Sequence, residues 1–576
     1  MSTDSSSKIL KLNESSVASN SSTSSTSSPS VSDSSSSSST TSSLRSALWS
    51  FVIIIPVLAA ILAFYGFRGQ DVLLGIDLGT TYSAIAYSDG ITLGNIPDID
   101  TLQRNIINEP DKDNNNYTPS YTTPSVIAIA GGEYLVGRKG IQYAKQNPEA
   151  SIIDSKRIIG RLPNDPIVEL EAVRHEGRLI IDPRSPKTLL LPAKSSSISI
   201  FTTIYNYYSQ YVLKKSREPV VLYDGPTLVF AIPLYNQTQE EIIQLSTHTC
   251  LEKDAYYNID NYDITTVSND FQLLMKRYNT KQYLLLTPTA IGCIIVSHLY
   301  KSAIHHFPYV TLGKATVCIP AEFDSQQRYA TVQAFTRAGL RVQRIMHEPT
   351  AAAMAYGLAT TPNIHYVLVF DMGGGTLDVS ILFLSEGSFT VIGSAGDNKL
   401  GGEDFDDCLS NYLIQQYQEN HKIHHQEGIH TEDNQNHNYY SHTLCHPEIL
   451  SIEAERVKII LSQTMNTTWS CPLASNTHHQ SSSSTVTTQN ISGTITRKEF
   501  ESACQDLFDR ILVPVEHALE AANVQKHEIN EIVLVGGSSR LPGVRQRLAK
   551  YFNKEQLMYT VDPDLAVALG AAMNKA

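Results

Sequence analysis

Two segments of the chain share one pattern: a hydrophobic strand that ends in Asp, a turn of Gly and Thr, and a second strand of alternating polarity. They are residues 75–86 (GIDLGTTYSAIA) and 369–380 (VFDMGGGTLDVS). Such a turn suits phosphate, because glycines let backbone N–H groups approach phosphate oxygens and an Asp at the strand end can hold hydrated Mg²⁺. Two copies therefore predict two similar lobes that face one nucleotide.

A third glycine turn lies near the end of the chain. Residues 532–542 read IVLVGGSSRLP, which is typical of a strand, a glycine turn and the start of a helix. Backbone amides at a helix N-terminus suit an anion, and small residues let a base or ribose lie close. A single acidic glycine turn is most often an ordinary hairpin, so the prediction of a nucleotide site depends on all of these turns together.

The motifs, taken in order, carry a resemblance that spans residues 75–572. The chain resembles the ATPase domain of the heat shock protein 70 family, which has the fold of actin and the sugar kinases. The matching blocks are GIDLGTTYSAIAY, IIDSKRIIGR, ATVCIPAEFDSQQRYAT, MHEPTAAAMAYGL, VLVFDMGGGTLDVSIL, GDNKLGGEDFD, EAERVKIILS, IVLVGGSSRLPGVR and VDPDLAVALGAA.

The resemblance implies an α/β protein with an actin-like ATPase fold, in which two lobes of mixed sheet with flanking helices surround a central nucleotide cleft. Lobe I would span residues 71–361 and lobe II residues 362–558, with an outer subdomain at about 401–505. Residues 559–576 would form a final helix that packs back on lobe I. The Ala-rich helix that starts at Glu348 would pack tightly beneath the site, because its side chains are small.

Matching the motifs position by position assigns roles in ATP hydrolysis, which needs a metal across the phosphates, donors for the developing charge and a positioned water. Asp77 and Asp371 would hold the water shell of Mg²⁺, with K⁺ as a further cofactor. Lys156 matches the lysine that reaches the γ-phosphate and the attacking water, and Glu348 and Asp378 match the carboxylates that order this water. The expected phosphate contacts are Thr80, Thr81, Tyr82, Gly373, Gly374, Gly375 and Thr376, of which Thr376 is also placed among the catalytic residues.

The nucleoside half of the site is expected on a helix in lobe II. Glu455, Lys458 and Ser462 recur at spacings of three and four, so they share one helix face. They match family residues that contact adenosine. The residues expected to complete this pocket are Gly536, Gly537, Ser538, Arg540 and Asp564.

Pro320 and Arg328 match the family's switch pair, which relays the nucleotide state to an interdomain linker. The chain departs from the family nearby: Glu322 replaces an aromatic residue that is usual in full-length relatives, and His347 stands where most relatives carry Asn. Because His347 precedes Glu348, we expect this departure to change the hydrolysis rate without abolishing nucleotide binding.

Charge and cysteine content limit the other functions. The 576 residues carry a net charge of −13, which argues against binding to nucleic acid, a role that favours a basic face. The spacing of the seven cysteines predicts neither a disulfide framework nor a zinc site, and several lie in apolar runs, so we expect small buried hydrophobic side chains. They are Cys250, Cys293, Cys318, Cys408, Cys445, Cys471 and Cys504.

The N-terminal region has a different composition. Residues 1–46 are about half serine and cannot bury enough apolar surface to offset chain entropy, so a disordered tail is predicted. Residues 47–67 are apolar and essentially uncharged, and about twenty residues at ~1.5 Å each cross a bilayer core. We interpret them as an uncleaved transmembrane signal anchor, with a buried core segment and a cleaved signal peptide as alternatives. Arg45 and Arg68 flank the segment almost symmetrically, so its orientation is poorly encoded.

Two stretches exceed the family pattern. Residues 182–282 are predicted to form an insertion on the outer part of lobe I, with strand-like pieces such as residues 227–232. The spacing of the His-rich residues 421–446 fits no usual metal-ligand pattern, so a solvated insertion is predicted there. Glycosylation sequons at Asn116, Asn236, Asn466 and Asn490 suit a luminal domain but are about as frequent as chance would give.

A membrane segment, an ATPase core and the sequence PAEFD at 320–324 are together similar to the microsome-associated stress-70 ATPase-core proteins of the endoplasmic reticulum. The expected protein is a chaperone-family ATPase anchored in that membrane, with its core in the lumen. It would lack a peptide-binding domain and act in protein folding, quality control or the stress response through other chaperones or co-chaperones. The alternative is an ATP-gated scaffold or nucleotide exchange factor with negligible hydrolysis. A sugar kinase is a poor fit, because no acceptor-sugar motif is present.

Overall fold

The computed structural model describes most of the chain from residue 72 onward. The predicted tail (1–46) and anchor (47–67) lie outside the described residues, as does almost all of the His-rich stretch 421–446. Among the described residues, no helix combines the length and the apolar character needed to span a membrane. The described ranges are 72–100, 120–175, 178–181, 228–234, 237–251, 255–258, 269–308, 310, 312–420, 445, 447–472, 490–555, 557–558 and 560–573.

Lobe I contains three sheets with helices around them. Its strands are β1 (Leu73–Asp77), β2 (Tyr82–Ser88), β3 (Leu93–Asn95), β4 (Thr122–Pro124), β5 (Ile127–Ala130), β6 (Glu133–Val136), β7 (Ser151–Ile152), β8 (Leu179–Ile181), β9 (Leu228–Pro233), β10 (Tyr256–Asn258), β11 (Gln282–Leu286), β12 (Lys314–Ile319) and β13 (Arg341–His347). Its helices are α1 (Arg138–Ala144), α2 (Pro166–Arg174), α3 (Gln239–Ser246), α4 (Asn269–Tyr278), α5 (Pro288–His306), α6 (Ser325–Arg337) and α7 (Glu348–Ala355), with 3₁₀ turns at Pro148–Ala150, Ser155–Ile158 and Leu358–Thr360.

Lobe II contains two sheets, and the chain ends in a helix that returns to lobe I. The strands are β14 (Tyr366–Met372), β15 (Leu377–Ser385), β16 (Ser388–Asp397), β17 (Asn466–Pro472), β18 (Asn490–Thr496) and β19 (Glu531–Val535). The helices are α8 (Gly402–Asn420), α9 (Pro447–Gln463), α10 (Arg497–Ala503), α11 (Gln505–Arg510), α12 (Leu512–Ala522), α13 (Pro542–Phe552) and α14 (Ala566–Ala572), with 3₁₀ turns at Lys526–Glu528 and Gly537–Arg540.

The inner sheets of the two lobes repeat one arrangement. In lobe I, β1 pairs antiparallel with β2 and parallel with β12, in the order β13-β12-β1-β2-β3, and β4 also pairs with β2. In lobe II, β14 pairs antiparallel with β15 and parallel with β19, in the order β16-β15-β14-β19. Asp77 pairs with Ala84 and Asp371 with Asp378, so the two Asp-ending strands occupy equivalent places in their sheets.

The outer sheets are smaller. Strands β10-β11-β9-β8 and β6-β5-β7 belong to lobe I, and the β17-β18 hairpin belongs to lobe II. Strand β9, which arises from the stretch 182–282, is buried along its whole length and pairs with both β8 and β11. Part of this stretch therefore completes a sheet of the lobe.

Small residues join the two lobes at their base. Helix α7 and helix α14 contribute Ala351, Ala352, Ala566 and Ala571 to a core that also contains strand residues of both inner sheets, such as Val369. Helix α14 also lies against β1: a side chain at Gly75 would meet the backbone of Ala568 and Ala572. Only residues without bulk allow this close approach of helix to strand.

The prediction that the cysteines form no disulfides was wrong. Three disulfides connect Cys250 to Cys293, Cys408 to Cys504 and Cys445 to Cys471, with Cα–Cα distances of 5.6, 6.0 and 6.1 Å. Cysteine spacing failed because the partners are 43, 96 and 26 residues apart and meet only after the helices and strands have packed. The expectation of burial is confirmed for six of the seven, which are Cys250, Cys293, Cys318, Cys445, Cys471 and Cys504, and Cys318 is a free thiol.

Candidate nucleotide and metal site

The structure brings the predicted site residues together in one cleft between the lobes. Every residue predicted for catalysis, nucleotide binding or metal binding lines this cleft, whose volume is about 1310 Å³, and so does Pro320 of the predicted switch pair. Arg328 does not line it. It lies on α6, where its Nε donates to the carbonyl oxygen of Phe323 at 2.8 Å. The functional roles themselves stay predictions.

The two glycine turns face each other across the cleft. A side chain at Gly374 would collide with the hydroxyl and Cβ of Thr81 in the opposite lobe, and one at Gly375 would collide with the guanidinium of Arg157. The hydroxyl of Thr81 is buried and has no hydrogen-bond partner among the described residues. The turns thus combine backbone N–H groups with an uncommitted hydroxyl, as a phosphate cradle requires.

Lys156 occupies the centre of a group of carboxylates. Its ammonium donates to Glu348 Oε1 at 2.7 Å, and both side chains are only 12% exposed. Burial alone would lower the pKa of Lys156, but the negative charges of Glu348 and Asp77 outweigh it and raise this pKa above its usual value. Lys156 is therefore a fixed cation in the cleft, able to face a phosphate oxygen.

The three aspartates of this group are held in unfavourable surroundings for a negative charge. Burial raises the pKa of Asp77 from 3.8 to about 7, and Lys156 opposes the shift. Burial and then the charge of Glu348 raise the pKa of Asp378 to about 6, while Thr376 Oγ1 donates to it at 3.2 Å. The pKa of Asp371 is raised well above its usual value by burial and by Glu348, Asp378 and Asp77. A bound cation would relieve this repulsion.

The oxygen-rich group fits a hydrated Mg²⁺ ion. Carboxylate oxygens are the ligands that this hard cation prefers, usually with several waters retained. Asp77 Oδ1 is buried and has no hydrogen-bond partner within the described part of the chain, so this oxygen is available to a metal-bound water. Asp77 and Asp371 can therefore hold the ion as predicted, at the meeting point of the two inner sheets.

A small cavity adjoins the same carboxylates. It has a volume of about 20 Å³ and is lined by residues that include Pro320, Glu322, Glu348, Asp371 and Asp378. A cavity of roughly 10–15 Å³ on this measure is enough for one water when polar groups surround it. The cavity can thus hold a water between Glu348 and Asp378, the two side chains predicted to order the attacking water.

The nucleoside half of the cleft is built around Lys458. Its ammonium donates to the carbonyl oxygen of Gly402 at 2.9 Å and to Asp406 Oδ2 at 2.6 Å, which ties α9 to the start of α8. Glu455 and Ser462 line the cleft from the same helix, and Ser462 Oγ donates to the backbone of Lys458 at 3.0 Å. The shared helix face predicted from the spacing of these residues is present.

The third glycine turn closes the other side of this pocket. Gly536 has a φ of +77°, and a side chain there would meet the backbone of Met372 and the carboxylate of Asp371. Arg540 pairs with Asp562 and with Asp564, the latter at 2.9 Å, so its guanidinium is held at the cleft wall. An Arg plane in such a position can stack on an aromatic base.

Asp406 and Arg157 are among the cleft residues that received no role from the sequence. Asp406 is the partner of Lys458, and burial raises its pKa to about 7 although Lys458 opposes the shift. Arg157 pairs with Glu171 at 3.3 Å and reaches Gly375 across the cleft. Both lie inside blocks that resemble the family, GGEDFD and IIDSKRIIGR, and that location was the signal that could have found them.

Comparison with known proteins agrees with this geometry. The "Heat shock 70 kDa protein" of Neurospora crassa is 30% identical over 512 residues, which are 87% of this chain and 58% of the relative. A protein of the same name from Emericella nidulans is 31% identical over 510 residues, 87% of this chain and 58% of that relative. The "Chaperone protein dnaK" of Trieres chinensis is 40% identical over 288 residues, 50% of this chain and 43% of the relative.

The chain thus spans little more than half the length of its fungal relatives. The profile of the family described as "Hsp70 protein" matches residues 73–179 and 250–576. Most of the stretch 182–282 therefore lies outside the family match, but residues 250–282 lie inside it. The members of this family hydrolyse ATP, and their ATPase domain has the actin-like α/β fold predicted above. The match covers both glycine turns, Lys156 and the nucleoside pocket, and the chain belongs to the Hsp70 family.

Proposed function

We propose that this chain binds ATP with Mg²⁺ in the interlobe cleft and hydrolyses it to ADP and phosphate. The observation that carries the proposal is the Lys156–Glu348 pair, buried among Asp77, Asp371 and Asp378 and facing two glycine turns. A protein that only bound the nucleotide would need no more than the glycine turns and the nucleoside pocket. A fixed ammonium beside carboxylates that can order a water is an arrangement suited to hydrolysis.

The residues divide the work as follows. The turns at residues 79–82 and 373–376 donate backbone N–H groups and hydroxyls to the phosphates, and Lys156 contributes positive charge where negative charge develops. Glu348 and Asp378 hold a water in line, and one of these two carboxylates accepts its proton as it attacks. Asp77 and Asp371 would hold a hydrated Mg²⁺ ion, which would supply positive charge to the phosphates. K⁺ is proposed as a second cation that binds to the same carboxylates.

Single-turnover hydrolysis of ATP tests this proposal. We compare the wild-type chain with Lys156→Ala in Mg²⁺ and K⁺ and measure nucleotide affinity in both. Turnover that is lost in the variant while binding is retained establishes the ATPase and its lysine. Tight binding without turnover in either protein would instead support the alternative, an ATP-gated scaffold or exchange factor. Omission of K⁺ tests the second cation separately.

We also propose that the protein is anchored in the endoplasmic reticulum membrane by residues 47–67, with the ATPase core in the lumen, as in the stress-70 ATPase-core proteins. The disulfides support this placement, because disulfides persist in oxidising compartments and are rare in the cytosol. Asn466 and Asn490 lie exposed on the β17-β18 hairpin, accessible to glycosylation. In a luminal core, Asn466→Gln and Asn490→Gln each remove part of a glycosidase-sensitive mass shift. A chain without any glycosidase-sensitive mass shift contradicts the placement.

Finally, we propose a role in protein folding and quality control together with other chaperones or co-chaperones. The support is family membership and the similarity to chaperones that share the ATPase region. The expected absence of a peptide-binding domain stays a prediction. It is tested by adding unfolded peptide to the 576-residue chain during single-turnover hydrolysis: no change in rate is expected, and robust stimulation would overturn it.

A further inference from the structure

In the inner sheet of lobe I, one set of strand ends lies opposite the nucleotide. Strand β1 runs from Leu73 to Asp77, and Asp77 lines the cleft, so Leu73 marks the far end of the sheet. The registers place five residues in one row there: Arg341, Lys314, Leu73, Ser88 and Leu93. Because neighbouring strands are ~4.8 Å apart, the row is about 19 Å wide. We call this row and the loops just beyond it the basal edge.

The basal edge exposes large apolar side chains. Ile91, at the tip of the β2-β3 turn, is 81% exposed, Leu93 is 42% exposed, and Val310, which precedes β12, is 38% exposed. The turn is well defined, because Asp89 accepts hydrogen bonds from the backbone of Ile91 and Thr92. Single exposed apolar side chains are common on protein surfaces, whereas several of them grouped at one place are typical of an interaction site.

The basal edge is also cationic, although the chain as a whole is strongly acidic. Arg341 is exposed and Lys314 stands beside it in the row. Lys301 is exposed near the end of α5, which approaches this edge where Tyr87 packs on Phe307 with ring centroids 4.8 Å apart. Within the described parts of residues 86–95, 300–315 and 336–342, the acidic group is Asp89, whose carboxylate is occupied by its own turn. The net positive charge suits a negatively charged partner.

We propose that the basal edge lies on a lipid bilayer, with Ile91 and Leu93 inserted at the interface and Lys314 and Arg341 beside anionic headgroup phosphates. Apolar side chains combined with Lys and Arg are what interfacial binding requires. The connectivity of the chain favours this partner over a protein. Only residues 68–72 separate β1 from the apolar segment 47–67, and five residues reach at most about 18 Å.

This inference rests on the proposed membrane anchor. A lone transmembrane segment followed by a short linker leaves the core free to rotate, whereas contact at the basal edge fixes its orientation. The mouth of the nucleotide cleft then points away from the bilayer, because it lies at the opposite ends of the same strands. Nucleotide and soluble partners would reach the cleft without obstruction from the membrane.

Quenching of tryptophan fluorescence by lipids with brominated acyl chains tests the contact. The full-length chain is reconstituted in phosphatidylcholine vesicles with and without phosphatidylserine, as the parent, as Ile91→Trp and as Leu273→Trp. Leu273 is a matched control, because it is an exposed leucine on α4 in the same lobe, 63% exposed. The parent chain already contains Trp49 and Trp469. Subtracting its fluorescence leaves the signal of the added tryptophan.

We expect the fluorescence added by Ile91→Trp to be quenched and blue-shifted, and the fluorescence added by Leu273→Trp to be unaffected. Adding Arg341→Glu should reduce the quenching at position 91 in vesicles that contain phosphatidylserine. Equal quenching at positions 91 and 273 contradicts the proposal. Flotation after carbonate extraction reports the anchor independently: a chain that floats without quenching at 91 keeps the anchor and loses the basal contact. If the tryptophan at position 91 is quenched but carbonate extracts the chain from the vesicles, the result supports the contact and contradicts the anchor.

Discussion

At the scale of single residues, the cleft concentrates negatively charged side chains, and this lowers the stability of the nucleotide-free protein. Asp77, Asp371, Asp378 and Glu348 share a buried volume in which Lys156 is the one cation paired directly with a member of the group among the described residues. The group is therefore matched to a cation and a polyphosphate bound together, since each ligand alone would leave unbalanced charge.

The raised pKa of Asp77 predicts how pH affects the free protein. The pKa rises from 3.8 to about 7 on folding, so the folded state holds a proton that the unfolded state has released. The contribution of Asp77 to stability is therefore present below its unfolded pKa and is lost as pH rises through about 7. Without nucleotide or Mg²⁺, Asp77→Asn should weaken the fall in melting temperature over this range.

Melting curves recorded at a series of pH values check this expectation. Asp506→Asn, the same change at an exposed position on α11, serves as the control and should leave the slope unchanged. The interpretation fails if Asp77→Asn melts with the same pH dependence as the wild type. With Mg²⁺ and ATP present, Asp77→Asn should instead be the less stabilised protein, because it has lost a carboxylate that holds the metal's waters.

Gly375 makes a second prediction at this scale. Its α-carbon lies so close to the guanidinium of Arg157 that an added methyl group would displace this side chain. Gly375→Ala should oppose closure of the lobes at a cost of about 1–3 kcal/mol, typical of overpacking, and should weaken ATP binding. Isothermal titration measures the affinity, and small-angle scattering measures the opening of the cleft.

A double variant separates this steric effect from a general loss of folding. In Gly375→Ala with Arg157→Ala the collision is absent, so the two changes should be non-additive and the cleft should close again. Purely additive effects would mean that the contact across the cleft is unimportant. Gly313→Ala, where a side chain would meet open space, is the control for backbone stiffening.

At the scale of elements, the disulfides secure the helices that hold the nucleoside. Cys445 and Cys471 enclose α9, the helix of Glu455, Lys458 and Ser462, in a loop with a separation of 26 residues. The disulfide Cys408–Cys504 ties α8, which carries the partner of Lys458, to the end of α10. The nucleoside pocket is therefore built on covalently restrained supports.

Removal of the disulfide at Cys445 should therefore weaken ATP binding as well as stability. Replacing both Cys445 and Cys471 with Ser should cost about 3.5 kcal/mol of folding free energy in the chain-entropy account. Urea unfolding and nucleotide titration measure the two effects. The matched control replaces Cys250 and Cys293, whose disulfide lies in lobe I away from the pocket. It should lower stability without lowering affinity, and equal loss of affinity in both variants would refute the proposed local effect.

At the scale of the whole molecule, the cleft makes the stability of both lobes depend on the ligand. A ligand that binds only the folded state adds about 2.7 kcal/mol at 100 times its dissociation constant. ATP with Mg²⁺ should raise the melting temperature of the full chain, and EDTA should remove most of the increase. Lys156→Ala should retain it, because binding is expected to survive that change. A thermal scan of these samples checks the prediction.

Features encoded by residues close together in the sequence could be predicted well. Contacts between residues far apart in the sequence could be predicted much less well. The Asp–Gly turns identified β1 and β14 as equivalent strands, because strand, turn and strand are encoded within a dozen residues. The disulfides could not be predicted, since Cys408 and Cys504 are 96 residues apart and meet through the packing of α8 and α10. The partnership of Lys458 with Asp406 was missed for the same reason, because it joins α9 to α8 across 52 residues.

The stretch 182–282 shows a different reason for an incomplete prediction. It was interpreted as an insertion because family resemblance is weak there, and the family match indeed omits most of it. Yet β9 is a fully buried strand between β8 and β11, so a sheet of lobe I depends on it. Many different apolar sequences can form a buried strand. A weak resemblance to the family therefore says little about how important such a strand is for the fold.

The return of α14 to lobe I affects how the protein is made. A side chain at Gly75 would meet the backbone of α14, and a side chain at Gly570 of α14 would meet the backbone of Ala351 in α7, so this helix leaves no space for larger residues at either position. A ribosome delivers β1 and α14 almost five hundred residues apart. Lobe II can fold while the apolar face of β1 is not yet covered by α14. The part of the domain that is synthesised first is therefore the last to be completed. The region around β1 in the nascent chain therefore needs protection until the residues of α14 have been synthesised.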